Sequence, residues 1–326
     1  MRVLVSGASG FIGSHVAAHL AVGGYDVLAM GRDRTRLAAA RDAGCRTREL
    51  DLATDDLRDA VQGHTAIIHC AARASPWGRP EEFHRDNVQA TERLLAAAAD
   101  SGGVRRFVHL SSPSIYFRFC DQRDLSEDFV PPVRWPTSYA KTKWQSECSV
   151  RRFEALSPII LRPRAVFGPG DRTIVPRLIA VAARGYFPLP SGGSAWTDVT
   201  YIENVVRAVA AALEAPAGLG GRAFNITNGE PVQIRDLLTR LFGALEIRPR
   251  MLPIPRAALL ALARCSEYSS RHLGAGAEPR ITVYGAGLLS YSQTLSIEAA
   301  RRDLAYAPTI SLDEGLRRYA DWWRIH

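Results

Sequence analysis

Lysine is almost missing from this chain. Of 41 lysine and arginine side chains in 326 residues, only Lys141 and Lys143 are lysines, and both fall in the stretch SYAKTKW (138–144). Everywhere else positive charge is written as arginine, so a compact ammonium at this place calls for its own explanation. Long apolar runs are missing too. The most suggestive, AALLALA (257–263), is far short of the roughly 20 residues a membrane-spanning helix needs and reads as a lid or core helix. Cysteines occur at 45, 70, 120, 148 and 265, an odd number with no CxxC and no Cys/His spacing. That argues against a disulfide framework and a zinc site, and for thiols kept reduced in the cytoplasm; no metal is expected. The net charge of +8 comes from scattered arginines, with no dense basic run and no interleaved aromatics. This disfavours nucleic acid as a partner and leaves a bias toward an anionic small molecule such as a cofactor phosphate. The start, MRVLVSGASG, runs straight into a strand and a glycine turn and reads as structure rather than as a signal peptide.

What is present is an alternation. RVLVS (2–6), DVLAM (26–30), AIIHC (66–70), RFVHLS (106–111) and PIILR (158–162) are short unbroken apolar runs, the mark of strands buried on both faces of a parallel sheet. Helical patterns lie between them at 11–23, 35–44, 87–102 and 138–156, which implies a doubly wound α/β sheet. Beyond residue 164 the rhythm breaks into Gly/Pro-dense segments such as FGPGD and FPLPSGG. We expect a dinucleotide-binding domain over 1–164, with 197–227 returning to it. A smaller substrate-binding domain is expected over 165–196 and 228–326, closing on the amphipathic segment LDEGLRRYADWW (312–323).

SGASGFIG (6–13) follows the first strand and opens the first helix, the context a dinucleotide fingerprint requires. Gly7 allows the tight turn, Gly10 lets the backbone approach a pyrophosphate, and Gly13 lets the helix sit close on the sheet. The helix N-terminus then offers free N–H groups to phosphate, with Ser9, Phe11 and Ile12 as further contacts of the loop. At the end of the second strand, DVLAMGRDR gives Gly31 and then Arg32 where an NAD site usually has a carboxylate. A guanidinium there grips a 2′-phosphate, so NADP is favoured and NAD is kept open; Arg34 is a second candidate and Asp33 a helix cap. Asp51 and Leu52, after a third strand, are placed to meet the adenine, and Ala71 and Ala72, past the fourth, to line the cofactor.

Tyr139 and Lys143 have the spacing YxxxK, which puts both on one helical face. A phenol with a pKa near 10 is a poor proton shuttle at neutral pH, and an adjacent ammonium favours its ionised form. A compact head with three donors also holds ribose hydroxyls, for which the flat guanidinium is ill suited. Lys141 faces elsewhere and is read as solvated. SSPS (111–114), at the carboxyl edge of the fifth strand, supplies serine hydroxyls able to hold a substrate oxygen.

Taken together, GASGFIG, HCAA, NVQAT, SSPSIY, YAKTK, LRPRAVFGPGD and DVTYIENVV resemble the extended short-chain dehydrogenases/reductases, over nearly the whole length. The resemblance implies a Rossmann fold and the catalytic set Ser112, Tyr139 and Lys143. It makes Asn87 structural and sets Pro163 beside the nicotinamide. Within that superfamily, SSPSIYF, ILRPRAVFGPGD and the tail ARRDLAYAPTISLDEGLRR are most similar to the branch of 3β-hydroxysteroid dehydrogenases and 2-alkyl-3-oxoalkanoate reductases. Nucleotide-sugar epimerases usually carry an arginine where this chain has Trp196-Thr197, so an apolar pocket is expected, with Trp77, Tyr116, Phe117 and Trp196 among its candidate linings. The leading expectation is an NAD(P)-dependent oxidoreductase interconverting a ketone and a secondary alcohol of a largely apolar small molecule. A nucleotide-sugar epimerase or dehydratase is the alternative, and a dinucleotide-binding sensor without chemistry a third. The helices at 87–102 and 138–156 are candidate surfaces for a homodimer.

Overall fold

A computed structural model describes all residues except 131, 133 and 273–276. Seven strands form one sheet in the order Ala223–Ile226, Pro158–Pro163, Arg106–Leu110, Ala66–His69, Arg2–Ser6, Asp26–Gly31, Arg46–Glu49. Every neighbouring pair is parallel. The apolar runs lie where their composition puts them, at the centre, with Val3, Ile67, Val108 and Ile160 fully buried. The exception is RTRE at 46–49: as an edge strand with one neighbour it needs no apolar face, so no hydrophobic run announces it. The order reverses between Arg2–Ser6 and Ala66–His69. That is the switch point outside whose carboxyl ends an open α/β sheet binds its ligand.

Helices cover both faces, and two apolar layers fill the gaps, one around Val5, Val16 and Val209, the other around Leu4, Leu94 and Ile160. The helix expected over 87–102 runs from Ala90 to Asp100 and is preceded by a wide turn, His84–Gln89, that presses Asn87 into the interior. The helix expected over 138–156 ends at Arg151.

Past residue 164 the chain builds smaller sheets at the carboxyl edge. Val232–Gln233, Trp196–Thr197, Gln293–Leu295 and Gln122–Leu125 make a four-stranded one, and Tyr186–Pro190 pairs with Arg250–Ile254. Two details depart from the sequence reading. Thr200–Tyr201 pairs with Val166–Phe167 rather than with the main sheet, which takes up only Ala223–Ile226 from this region. Gln122–Leu125, a polar segment from the first half of the chain, crosses over to the small sheet. The LLALA segment lies in the helix Arg256–His272, whose Leu259, Leu260 and Ala263 pack on Ala286 of the helix Val283–Ser290. Among the described residues no helix is long and apolar enough to cross a membrane.

Candidate active site

The glycine loop is shaped by close backbone approaches. Gly7 has φ 72°, and a Cβ on it would lie 2.6 Å from the Ala71 backbone, so the loop and the end of the fourth strand must touch. A Cβ on Gly13 would lie 2.3 Å from the Gly7 carbonyl oxygen, so only glycine lets the helix Phe11–Val22 start this near the loop. That helix has no side-chain cap at Gly10 and no acidic residue in its first turn, leaving its first N–H groups and its positive end open. An uncapped, carboxylate-free helix start at the switch point fits a dinucleotide pyrophosphate. Ser9, Phe11, Ile12, Ala71 and Ala72 are half-buried, and the Ala71 backbone borders the loop.

Gly31 belongs to the same construction, because a Cβ there would meet Ser9 Oγ at 2.4 Å. Arg32 follows it, exposed, with Nη1 3.6 Å from Asp86 and 3.9 Å from Asp51. The structure thus brings Arg32 and Asp51 to one edge, while Leu52 is buried beneath them and hydrogen-bonded through its carbonyl to Arg93 Nε at 3.0 Å. Asn87 joins the loop after the fourth strand to the Ser138–Arg151 helix. It accepts from Arg73 N–H at 2.7 Å and donates to Thr142 Oγ1 at 3.0 Å.

Ser112, Tyr139 and Lys143 come together at the carboxyl edge of the sheet. Ser112 caps a short 3₁₀ turn, Pro113–Tyr116, and its Oγ accepts from Ser114 N–H at 3.2 Å. Thr137 caps the helix that carries Tyr139 and Lys143, accepting from Ala140 N–H at 3.0 Å. Burial pushes the Tyr139 phenol above its ordinary value, and a hydrogen bond with Ser112 is the opposing influence. Lys143 is 2% exposed and donates to the Leu110 carbonyl at 2.5 Å, with His109 Nε2 at 3.4 Å. Burial lowers its value to about 8, against the opposing charge of Glu147 one turn on. The sequence argument that Lys143 makes Tyr139 more acidic therefore needs amending. In this arrangement the ammonium is directed at the Leu110 carbonyl, and Ser112 is the group that eases ionisation of the phenol. Lys141 is exposed, as its position on the helix implied.

Beneath these groups lies a polar layer that sequence reasoning missed. Glu147, fully buried, accepts from Arg162 Nε at 2.9 Å and Nη2 at 2.6 Å, from Arg151 at 3.0 Å, and from Ser111 Oγ. Arg162 Nη1 also donates to the Tyr116 hydroxyl, which in turn donates to Asn225 Oδ1 at 2.8 Å. Tyr116 is thus a member of the buried network and not a pocket lining. Ser111 and Ser114 are buried, Ser111 on Glu147, which separates both from the role given to Ser112. His69 bridges Ser6 at 2.7 Å and Thr91 at 2.8 Å, and burial holds it neutral, near 3. The only sequence signal for this layer was a set of polar residues (His69, His109, Arg162, Asn225) inside otherwise apolar strands.

Pro163 ends its strand, buried, and Arg164 follows it at the same edge. Phe117 packs edge-on against Tyr284 at 5.2 Å and lines a groove of about 620 Å³ with Phe119, Val130 and Trp135, to which Arg118 and Arg134 also contribute. Trp77 and Trp196 are half-buried, each under an arginine, Arg271 at 5.1 Å and Arg123 at 5.4 Å.

The family described as the NAD dependent epimerase/dehydratase family matches residues 3–227. Among relatives, the Escherichia coli (strain K12) protein YbjS is 37% identical over 100% of this chain and 98% of its own length. A 2-alkyl-3-oxoalkanoate reductase of Stenotrophomonas maltophilia (strain K279a) is 33% identical, covering 98% of each. Among solved structures, MoeE5 in complex with UDP-glucuronic acid and NAD superposes with a TM-score of 0.79 at 27% identity, over 100% of this chain and 99% of that one.

Proposed function

We propose a particular reaction for this chain, which belongs to the NAD dependent epimerase/dehydratase family and is an NAD-dependent oxidoreductase: reversible reduction of a ketone on a largely apolar small molecule to the secondary alcohol. The observation that carries it is the Tyr139 hydroxyl held on Ser112 at the carboxyl edge of the sheet, on the helix face that also bears the buried ammonium of Lys143. A nicotinamide held in the cleft would supply or accept hydride at its C4. Tyr139 would give its hydroxyl proton to the carbonyl oxygen in the reduction and take that proton back in the oxidation. Ser112 donates to the same oxygen and holds it in place. Ketone, reduced coenzyme and one proton become alcohol and oxidised coenzyme.

Gly7, Ser9, Gly10, Phe11, Ile12 and Gly13 would hold the pyrophosphate, Ala71, Ala72 and Pro163 the walls of the coenzyme cleft, and Lys143 the ribose. NADP is the coenzyme favoured by Arg32, whose exposed guanidinium follows a strand end with no side chain at Gly31 and is only loosely engaged by Asp51 and Asp86. A groove lined mainly by Phe117, Phe119, Val130 and Trp135, with Arg118 and Arg134, supports a largely apolar substrate, in keeping with the relative named 2-alkyl-3-oxoalkanoate reductase. Tyr139→Phe is the direct test. It should leave NADPH binding within about threefold while lowering turnover by roughly 10² or more. Undiminished turnover would show that the proton comes from elsewhere.

A further inference from the structure

Two histidines lie side by side beneath the catalytic groups, and only one of them is satisfied. His69 and His109 are register partners on adjacent strands, both fully buried, with ring centroids 5.3 Å apart. His69 has a partner on each nitrogen, Ser6 Oγ at 2.7 Å on Nδ1 and Thr91 Oγ1 at 2.8 Å on Nε2. The Thr91 hydroxyl donates to the Asn87 carbonyl at 2.6 Å, so Nε2 of His69 carries the proton and Nδ1 accepts from Ser6. A histidine kept for hydrogen bonding and packing alone looks like this. His109 differs. Among the described residues its enclosed Nδ1 has no partner, and its Nε2 lies 3.4 Å from both Lys143 Nζ and Ser146 Oγ. A buried polar atom left open is rare, and it raises the question of what the ring is kept for.

The ammonium decides which nitrogen of His109 holds the proton. Ser146 donates its own hydroxyl proton to the Lys143 carbonyl at 2.9 Å, so it brings no donor to Nε2. An N–H on Nε2 could reach Ser146 but would stand against a desolvated positive charge, whereas a lone pair there accepts from it. His109 is therefore the Nδ1–H tautomer, and the enclosed, unpaired Nδ1–H is the consequence. Burial, helped by the Lys143 charge, keeps the ring neutral, well below its ordinary value. The other ionisable groups around Lys143 are Tyr139 and Glu147 on its own helix, with His69 and Cys70 at the end of the fourth strand. Burial raises the Tyr139 phenol and takes the Cys70 thiol up to about 12, so both are neutral. The Glu147 carboxylate is engaged by Arg162, Arg151 and Ser111. The ammonium thus donates to two neutral acceptors, the Leu110 carbonyl at 2.5 Å and His109 Nε2, and among the described residues its third N–H has none.

We propose that His109 is a positioning residue for Lys143: as the Nδ1–H tautomer it accepts one N–H of the ammonium, and with the Leu110 carbonyl it fixes the head group so that the third N–H serves the coenzyme ribose. This rests on the reaction given above, which assigns Lys143 to the ribose, and adds the group that aims it. It also extends the reason for a lysine at 143. A planar guanidinium cannot direct separate N–H groups at a carbonyl, an imidazole and a ribose set around one point.

The near-absence of lysine makes the test direct. The whole chain carrying isotope-labelled lysine gives NMR signals from Lys143 and from the exposed Lys141 alone, the second serving as internal reference. His109→Phe keeps a ring but removes the acceptor. It should move the Lys143 titration midpoint down by about 1 pH unit, the scale of one hydrogen bond to a charged group, while the Lys141 signal stays as in wild type. His109→Gln, whose carbonyl can stand where Nε2 stands, should recover about half of that shift or more. In wild type, imidazole nitrogen shifts of histidine-labelled protein should place the His109 proton on Nδ1, a readout that needs no variant. A merely structural histidine would lower the melting midpoint of both variants and leave the Lys143 titration where it was. A proton on Nε2, a Lys143 midpoint in His109→Phe within about 0.3 pH unit of wild type, or an equal shift in His109→Gln would each overturn the proposal. NADPH binding, followed by fluorescence, tests the underlying reaction: it should weaken by roughly 3- to 10-fold in His109→Phe. A displaced Lys143 titration with coenzyme binding and turnover unchanged would sustain the hold of His109 on Lys143 and refute the assignment of Lys143 to the ribose instead.

Discussion

Replacing Glu147 by glutamine removes one negative charge from a buried site that accepts four hydrogen bonds. The carboxylate is fully enclosed and carries two hydrogen bonds from Arg162, one from Arg151 and one from Ser111. An amide keeps the shape but turns a donor toward a guanidinium that is itself all donors. Breaking a buried pair in this way costs roughly 3–5 kcal/mol, since the remaining charge stays desolvated. With an unfolding entropy of about 2.1 cal/mol/K per residue over 326 residues, the melting midpoint should fall by about 4–7 °C. A second readout separates this from generic damage. Burial lowers the Lys143 value to about 8 and the Glu147 anion raises it, so losing the anion sends it lower still. Less of the ammonium then survives at pH 8, and the alkaline limb of the kcat/KM profile should move to lower pH. Calorimetry and a pH–rate series measure both. A midpoint within about 1 °C of wild type would refute the energetic argument. A lowered midpoint with an unmoved alkaline limb would refute the coupling of Lys143 to this network.

Three further outcomes are expected. Arg32→Ala should lower kcat/KM for NADPH by roughly 10- to 100-fold and leave NADH nearly unchanged, the worth of one or two charge-assisted hydrogen bonds to a phosphate. Gly13→Ala places a Cβ 2.3 Å from the Gly7 carbonyl, so the loop must shift, and coenzyme binding followed by NADPH fluorescence should be lost with the fold retained in circular dichroism. Asp198 has a folded value near 6 against an ordinary 3.8, so its carboxylate costs nothing below about pH 4 and destabilises as pH rises through 6. Urea unfolding should therefore find Asp198→Asn more stable than wild type by about 2–3 kcal/mol at pH 8 and equal to it at pH 4.

Much of the architecture was legible in the order of residues because it depends on local pattern. Five of the seven central strands are unbroken apolar runs, and a strand buried on both faces can be little else. The glycines of the first turn are read from spacing because each answers to a contact within the same strand–turn–helix unit, and Tyr139 and Lys143 share a face through the helical period alone. The third strand was read only by its place before Asp51 and not as the run Arg46–Glu49, and Gln122–Leu125 was hidden, since an edge strand or a two-residue crossover pairing leaves no periodic trace. What only the tertiary structure decided is which polar side chains meet. Glu147 and Arg162 pair across 15 residues, and Tyr116 and Asn225 across 109. The Lys143 ammonium turns to Leu110, and Arg164 reaches the Thr197 hydroxyl from 33 residues away. Hydrophobic burial is non-directional and can be read from composition and period, whereas the balance of a buried charge depends on a partner brought by another part of the chain.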